Sequence, residues 1–232
     1  MTEIKLIEGG VCAAQGFTGA GIHCGVRKNR AKRDLALILS SVPASAAAVY
    51  TTNLVKGAPL EVTKKHLENG LARAVICNSG NANTCNADGI EIAEATCALL
   101  ASELGIAPED VVVASTGVIG QRLSLEPFKT GIPELCKALG PNSHDVGEAI
   151  MTTDTKLKEI AVEFTAGGKT CRLGGIAKGS GMIHPNMATM LVFLTTDCAV
   201  SPEMLHKAPS TDVQDTFNMV TVVGHPTTTN AT

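Results

Sequence analysis

Aromatic side chains are scarce in this sequence. Its 232 residues include no tryptophan, one tyrosine and five phenylalanines. This composition offers no stacking platform for nucleobases or sugar rings. Charged residues make up only 18% of the chain, and the formal net charge is −3. A nucleic-acid partner is therefore not indicated, and we interpret the short run of Arg and Lys at residues 27–33 as a solvated hairpin.

The sequence also lacks the cysteine spacing of a metal site. Its eight cysteines include no CxxC pair, so neither a zinc site nor a dense disulfide framework is indicated. No apolar run approaches the length of a membrane span, and the N-terminus lacks the basic and apolar regions of a signal peptide. We therefore expect a cytoplasmic protein with buried thiols, no metal and no membrane partner.

Small and β-branched residues dominate, in segments whose periodicity alternates between strand and helix. This pattern predicts an α/β fold of layered mixed sheets. Predicted strands cover residues 4–7, 21–26, 34–41, 46–52, 72–77, 111–114 and 190–194, with a hairpin at 160–173. Predicted helices cover residues 60–69, 90–104, 125–139 and 145–151. Residues 78–89 are rich in asparagine and predict a loop, which can line a site or form ordinary Asx turns.

The most informative stretch runs from residue 178 to residue 197, where a loop with Gly179 and Gly181 meets an apolar strand. Thr189 lies at that junction. If the chain were cut before Thr189, its new α-amine, with a pKa of about 7.7–8.0, would be a base for its own hydroxyl nucleophile. The same pattern also fits a glycine loop that simply enters a core strand.

Three further positions carry candidate chemistry. Thr116 and Gly117 end a predicted strand, where a hydroxyl and an N–H can stabilise an oxyanion by roughly 3 kcal/mol per donor, although a plain turn also fits. Lys178 does not belong to a phosphate-binding glycine motif; it can pair with a substrate carboxylate, lower the pKa of an amine, or be an exposed loop lysine. We interpret His184 as structural, because no nucleophile elbow accompanies it.

Four segments, in this order and spacing, resemble the ornithine acetyltransferase (glutamate N-acetyltransferase) family of arginine biosynthesis over about residues 8–208. They are STGVIG at 115–120, MTTDT at 151–155, AKGSGMIHPNMATML at 177–191 and TTD at 195–197. The third is long and highly specific.

This resemblance implies an N-terminal-nucleophile-like fold and a precursor that cleaves itself between Ala188 and Thr189. Residues 1–188 would then form an alpha-chain-like region, and residues 189–232 the start of a beta-chain-like region. The freed Thr189 would carry the acetyl group from N2-acetylornithine to glutamate, with Thr116 and Gly117 as the oxyanion hole. The family's substrate-binding positions correspond to Thr152, Lys178 and Thr189.

The resemblance further implies a heterotetramer of two alpha and two beta chains and no cofactor. It leaves open whether acetyl-CoA is a second acetyl donor. Beyond about residue 208 the chain departs from the family pattern: residues 223–231 read VGHPTTTNA where an acidic motif is expected, and Pro209 interrupts an expected helix at 202–217. Two alternatives therefore stay open, namely an N-terminal-nucleophile aminopeptidase or amidase, and an inactive fragment or binding module.

Overall fold

Two four-stranded sheets form the framework of the molecule. The computed structural model describes residues 3–51, 53–179 and 190–216. In chain order the strands are β1 (Lys5–Ile7), β2 (Phe17–Ile22), β3 (Leu35–Ser45), β4 (Leu71–Asn81), β5 (Val111–Val118), β6 (Lys158–Ala166), β7 (Lys169–Lys178) and β8 (Leu191–Thr196). The helices are α1 (Ala58–His66), α2 (Gly89–Leu104), α3 (Glu126–Lys137), α4 (Ser143–Ile150) and α5 (Pro202–Asp215).

The first sheet has the order β2-β3-β4-β5 and is mixed. Its first three strands are antiparallel neighbours, whereas β4 and β5 are parallel and are connected through α2. A parallel pair needs such a crossover connection, and its two carboxyl ends lie at the same sheet edge. That shared edge brings the ends of β4 and β5 together.

The second sheet has the order β1-β6-β7-β8 and is antiparallel throughout. Gly167 and Gly168 connect β6 to β7 with φ values of +57° and +76°. Positive φ at both central residues is the geometry of a tight hairpin turn, so the predicted hairpin is confirmed. Strand β7 continues to Lys178, which pairs with Leu191 of β8.

The core has two layers, and β3 contributes to both. Leu35 and Leu37 belong to a buried cluster between the first sheet and helices α1, α2 and α3. Ala36 and Ile38 point the other way, into a cluster with α4, β7 and β8. Successive side chains of a strand face opposite sides, so a strand buried on both sides reads as a continuous apolar run. The predicted α/β fold of layered sheets is confirmed.

Three predicted boundaries were wrong for reasons of pairing. Residues 46–51 form no strand, because the β3–β4 pairing ends at Ser45 and Leu71, just after the turn at Gly70. Strand β2 ends at Ile22 rather than at 26, because the backbone N–H groups of Cys24, Gly25 and Arg27 bind the buried Asp34 carboxylate instead. Residues 78–81, predicted as loop, extend β4 because β5 pairs with them.

Helix α5 spans Pro202–Asp215 and contains Pro209 in its interior. The helix therefore continues through the proline that was predicted to interrupt it, at the cost of the hydrogen bond that proline cannot donate. Within the described ranges, no helix combines the length and the apolar character needed to cross a bilayer.

Candidate functional site

Buried polar side chains gather at the shared edge where β4 and β5 end. Asn78, Ser79 and Asn81 of β4 lie beside Ser115 and Thr116 of β5, and all five are buried. Buried polar groups in an apolar surrounding need hydrogen-bond partners. These five side chains therefore form a buried polar cluster at the sheet edge, which differs from the apolar core.

The asparagines of this edge act mainly as structural groups. Asn78 accepts a hydrogen bond from the Ser115 hydroxyl at 2.6 Å and donates to the Asn81 carbonyl at 2.9 Å. The Asn83 amide donates to the Gly89 carbonyl at 2.8 Å, and Asn83 itself has a φ of +47°. Of the two interpretations of the asparagine-rich segment, the structure favours turns stabilised by amide–backbone bonds.

The central contact joins Lys178 to Thr116. The Lys178 ammonium donates to the Thr116 hydroxyl oxygen at 3.1 Å, and the two residues are only 4% and 2% exposed. The interpretation of Lys178 as an exposed loop lysine was therefore wrong, because the residue is the buried last residue of β7. An ammonium has no acceptor, so Thr116 accepts this bond and keeps its own O–H proton available for another partner.

Gly117 follows with a backbone that only glycine tolerates. Its φ is +135°, and a Cβ atom there would lie 2.3 Å from the Gly80 carbonyl carbon and 2.6 Å from the Asn81 nitrogen. The parallel β4–β5 register shifts at this same point. The strand is thus irregular immediately after Thr116 and takes a conformation there that requires glycine.

Asp154 connects the Lys178 region to the turn after α4. Its carboxylate accepts hydrogen bonds from Lys158 Nζ at 2.6 Å, from the N–H of Gly179 at 2.8 Å and from the N–H of Thr152 at 3.3 Å. The side chain is fully buried. One carboxylate therefore holds Thr152 and the residue after Lys178 in place together.

Opposing effects set the charges of this cluster. Burial lowers the pKa of the Lys178 ammonium, and the negative charge of Asp154 partly offsets that effect. Burial alone would raise the pKa of Asp154, but the hydrogen bonds from Lys158 and the Gly179 N–H outweigh it and hold that pKa below its usual value. The carboxylate is thus ionised at neutral pH.

The predicted site residues fall into two groups. Thr116, Gly117, Thr152 and Lys178 are brought together, directly or through Asp154. Ala188 and Thr189, and His184 with them, lie outside the described residues. The described chain resumes at residue 190, immediately before the pairing of Leu191 with Lys178.

Sequence reasoning missed three charged residues of this cluster. The sequence showed Asp154 only as the one acidic residue of the motif at 151–155. Lys158, its ion-pair partner, comes four residues later. Arg27 comes from the basic run near the N-terminus, where its guanidinium donates to the Met151 carbonyl. Arg33 of the same run pairs with Asp145 and Glu148, so the predicted solvated hairpin is instead anchored to α4.

Comparison with known proteins identifies the family. The model of the ArgJ family matches residues 18–232. The chain belongs to the ArgJ family. The match continues to residue 232, whereas the resemblance in the sequence motifs ended at about residue 208.

Individual ArgJ relatives agree with this assignment. The arginine biosynthesis bifunctional protein ArgJ of Synechococcus sp. is 48% identical over 225 residues, covering 96% of this chain and 54% of the relative. The ArgJ of Bacillus subtilis is 46% identical over 228 residues, covering 97% of this chain and 55% of the relative. This chain therefore spans about half the length of the curated relatives that it matches.

Solved structures support the same family. ArgJ from Bacillus halodurans superposes with a TM-score of 0.76 at 42% identity, over 81% of this chain and 100% of that one. Ornithine acetyltransferase from Mycobacterium tuberculosis, solved with ornithine, gives a TM-score of 0.73 at 34% identity with the same coverage. The aminopeptidase of Ochrobactrum anthropi, described as a variant of the Ntn-hydrolase fold, superposes with a TM-score of 0.56 over 97% of this chain and 74% of that one. At 15% sequence identity, this likeness shows the fold alone.

A large groove opens on a face that does not include Thr116 or Lys178. This groove has a volume of about 1490 Å³ and runs between β3, β8 and α5. Neither Thr116 nor Lys178 is among its described lining residues. Among the residues that the structure describes, no three His, Cys, Asp or Glu side chains are grouped to hold a metal ion.

Proposed function

We propose that this ArgJ-family chain contributes to acetyl transfer from N2-acetylornithine to glutamate, through an acetyl ester on Thr189. The observation that carries the proposal is the buried Lys178–Thr116 contact, 3.1 Å long, beside Gly117 with its φ of +135°. A hydroxyl that keeps its own proton, next to a glycine at positive φ, supports an oxyanion site at this strand end.

In the chain, the proposed nucleophile Thr189 is only two residues from a residue that pairs with Lys178. Thr189 directly precedes Met190 in the chain, and the next residue, Leu191, pairs with Lys178. Cleavage of the Ala188–Thr189 bond frees the α-amine of Thr189. That amine then accepts the hydroxyl proton as the oxygen attacks an acetyl carbonyl, and Thr116 and Gly117 donate to the resulting oxyanion.

The remaining steps complete a two-stage transfer. Collapse of the first tetrahedral intermediate releases ornithine, whose amine takes up a proton. The amine of glutamate then attacks the acetyl ester, and Thr189 regains its proton as N-acetylglutamate leaves. The nucleophile, the base and the oxyanion donors are all groups of the chain, so the proposal needs no cofactor.

Lys178 and Thr152 are the proposed substrate-binding residues, and the buried charges of Lys178 and Asp154 support these roles. The Lys178 ammonium orients the Thr116 hydroxyl and adds a positive charge in a site with little water, where it attracts a substrate carboxylate or an oxyanion strongly. The Asp154 carboxylate accepts a hydrogen bond from the N–H of Thr152 and so fixes the position of Thr152. These contacts support the proposal that both residues bind substrate.

Chain lengths support self-cleavage. The two solved ArgJ-type chains are each covered completely by 81% of these 232 residues, or about 188 residues. The curated relatives are nearly twice as long as this chain. A precursor cut near a position equivalent to residue 188 would yield chains of that shorter length, and two such pairs would form the proposed heterotetramer.

The test is intact mass spectrometry of the wild type and of Thr189→Ala. We expect two fragments, residues 1–188 and 189–232, from the wild type and one uncut chain from the variant. The same samples are assayed with N2-acetylornithine and glutamate, and with acetyl-CoA as an alternative donor. Release of free acetate in place of N-acetylglutamate would favour a hydrolase, and an uncut wild type that still transfers acetyl groups would contradict the mechanism.

A further inference from the structure

Two cysteines outside the candidate site face each other across β7 and β8. Cys171 is the third residue of β7, and Cys198 lies two residues beyond the end of β8. The β7–β8 register pairs Leu173 with Thr196 and continues in steps of one. Extended by two residues, the same register brings Cys171 next to Cys198, which lies in a bend just after β8.

Hydrogen bonds show that the pairing does extend past β8. The N–H of Asp197 donates to the Arg172 carbonyl at 3.4 Å, the Thr196 hydroxyl donates to the same carbonyl at 2.7 Å, and the N–H of Arg172 donates to the Asp197 carboxylate at 2.7 Å. Arg172 and Asp197 are therefore neighbours across the two strands, and the regular ladder ends here because the Arg172 N–H binds the Asp197 side chain and not its carbonyl.

Facing residues near the end of an antiparallel pair of strands can have the spacing that a disulfide needs. Opposite residues at non-hydrogen-bonded positions have Cα atoms about 4.5 Å apart, with side chains on the same face. Disulfides span Cα distances of about 4.4–6.8 Å. The Cys198 thiol lies close enough to affect the pKa of Cys171, so the fold already holds the two side chains near each other.

The environment distinguishes the two thiols. Cys171 is buried, and burial together with the neighbouring Cys198 thiol raises its pKa. Cys198 is half-buried and lines the large groove between β3, β8 and α5, so a small molecule can reach it. By contrast Cys77 and Cys97 are buried, and burial raises the pKa of each to about 12. Access therefore favours attack by Cys198 first, with Cys171 as the resolving thiol.

We propose that Cys171 and Cys198 are an oxidation site that forms an intrachain disulfide with a small disulfide oxidant such as oxidised glutathione. The Cys198 thiol loses its proton, and its thiolate attacks one sulfur of the oxidant, which releases one molecule of thiol. Cys171 then loses its proton and attacks the Cys198 sulfur, and the second thiol leaves. The two cysteines give up two electrons and two protons, and the oxidant becomes two thiols.

The bond would have a specific consequence for the proposed cleavage. Cys171 precedes residues 180–189 and Cys198 follows them, so the disulfide closes a loop around the Ala188–Thr189 bond. This consequence rests on the proposed function: if that bond is cut, the two products stay covalently joined until they are reduced. The disulfide itself does not depend on cleavage.

The test is a tryptic map of the native full chain after incubation with oxidised glutathione and alkylation of the remaining thiols. Trypsin releases Cys171 in residues 170–172 and Cys198 in residues 179–207, or in 189–207 if the chain has been cleaved. Either form of the second peptide reports the disulfide, so failure of cleavage and failure of the disulfide are distinguishable. We expect the joined peptides to form at least about tenfold faster in the native protein than in urea, because the fold preorganises the pair.

Three variants sharpen the result. Cys171→Ser is expected to accumulate glutathione on Cys198, whereas Cys198→Ser is expected to leave Cys171 reduced. Cys85→Ser, which removes an exposed cysteine elsewhere, is the matched control and should leave the joined peptides unchanged. The proposal is overturned if the native wild type keeps both thiols reduced or carries glutathione on Cys198 without forming the bridge. It is equally overturned if the bridge appears only after unfolding.

Discussion

Replacing Asp154 by asparagine tests the candidate site at its most connected residue. The carboxylate accepts three hydrogen bonds, from Lys158, Gly179 and Thr152. Asparagine has nearly the same size but only one acceptor oxygen, and its NH₂ group cannot accept. At least one of the three donors therefore loses its partner in Asp154→Asn.

The expected loss follows from the burial of each group. An unsatisfied buried donor costs about 1–3 kcal/mol. Removing one partner of a fully buried ion pair costs about 3–5 kcal/mol, but Lys158 is 43% exposed and regains water, so that figure must be discounted. We expect Asp154→Asn to lower the free energy of unfolding by about 2–3 kcal/mol at pH 7.

The pH dependence gives a second signature. The folded protein holds the pKa of Asp154 below its usual value, because hydrogen bonds from Lys158 and Gly179 outweigh the opposing effect of burial. The stabilisation from this carboxylate is therefore fully present above the unfolded pKa of about 3.9, and it is lost as pH falls through the folded pKa. The difference between the wild type and Asp154→Asn should shrink in acid.

Urea denaturation at neutral and acidic pH measures both effects. Glu109→Gln, which neutralises an exposed carboxylate, is the matched control and should change the unfolding free energy by less than about 0.5 kcal/mol. The reasoning would be refuted if Asp154→Asn matched this control at pH 7, or if its destabilisation did not diminish in acid.

Two further predictions concern the strand end itself. Gly117→Ala should destabilise the protein by about 2–5 kcal/mol in urea denaturation, because its Cβ would overlap the backbone at Gly80. The control Gly120→Ala is also at positive φ but in open space, and should cost only about 1–2 kcal/mol. Equal costs would contradict the steric argument. Lys178→Met should change the unfolding free energy at pH 7 by less than about 1 kcal/mol, because an apolar chain of similar length replaces a buried ammonium, yet should reduce acetyl transfer at least about 100-fold. Since folding lowers the pKa of Lys178, the stability of the wild type relative to Lys178→Met should rise as pH increases towards the unfolded lysine pKa of about 10.4; a flat difference, or full activity of the variant, would contradict its role.

Local signals in the sequence were enough for most of the helices and for one hairpin. The predicted helix at 90–104 ends where Gly105 adopts the left-handed conformation, and the predicted hairpin at 160–173 turns at Gly167 and Gly168, both at positive φ. These features depend on residues that are adjacent in the chain, since capping and turn geometry are properties of one or two backbone positions. The motifs around Thr116 and Lys178 likewise indicated the family.

Only the tertiary structure decided which groups are buried and which strands pair. Lys178 has the sequence context of an exposed loop lysine, but β7 carries it into the core against Thr116. Asp154 became a site residue because its carboxylate meets the N–H of Gly179, 25 positions away. Burial and cross-strand contact depend on elements that are distant in sequence, so no local pattern encodes them. For the same physical reason the facing positions of Cys171 and Cys198 emerge only from the register of β7 with β8.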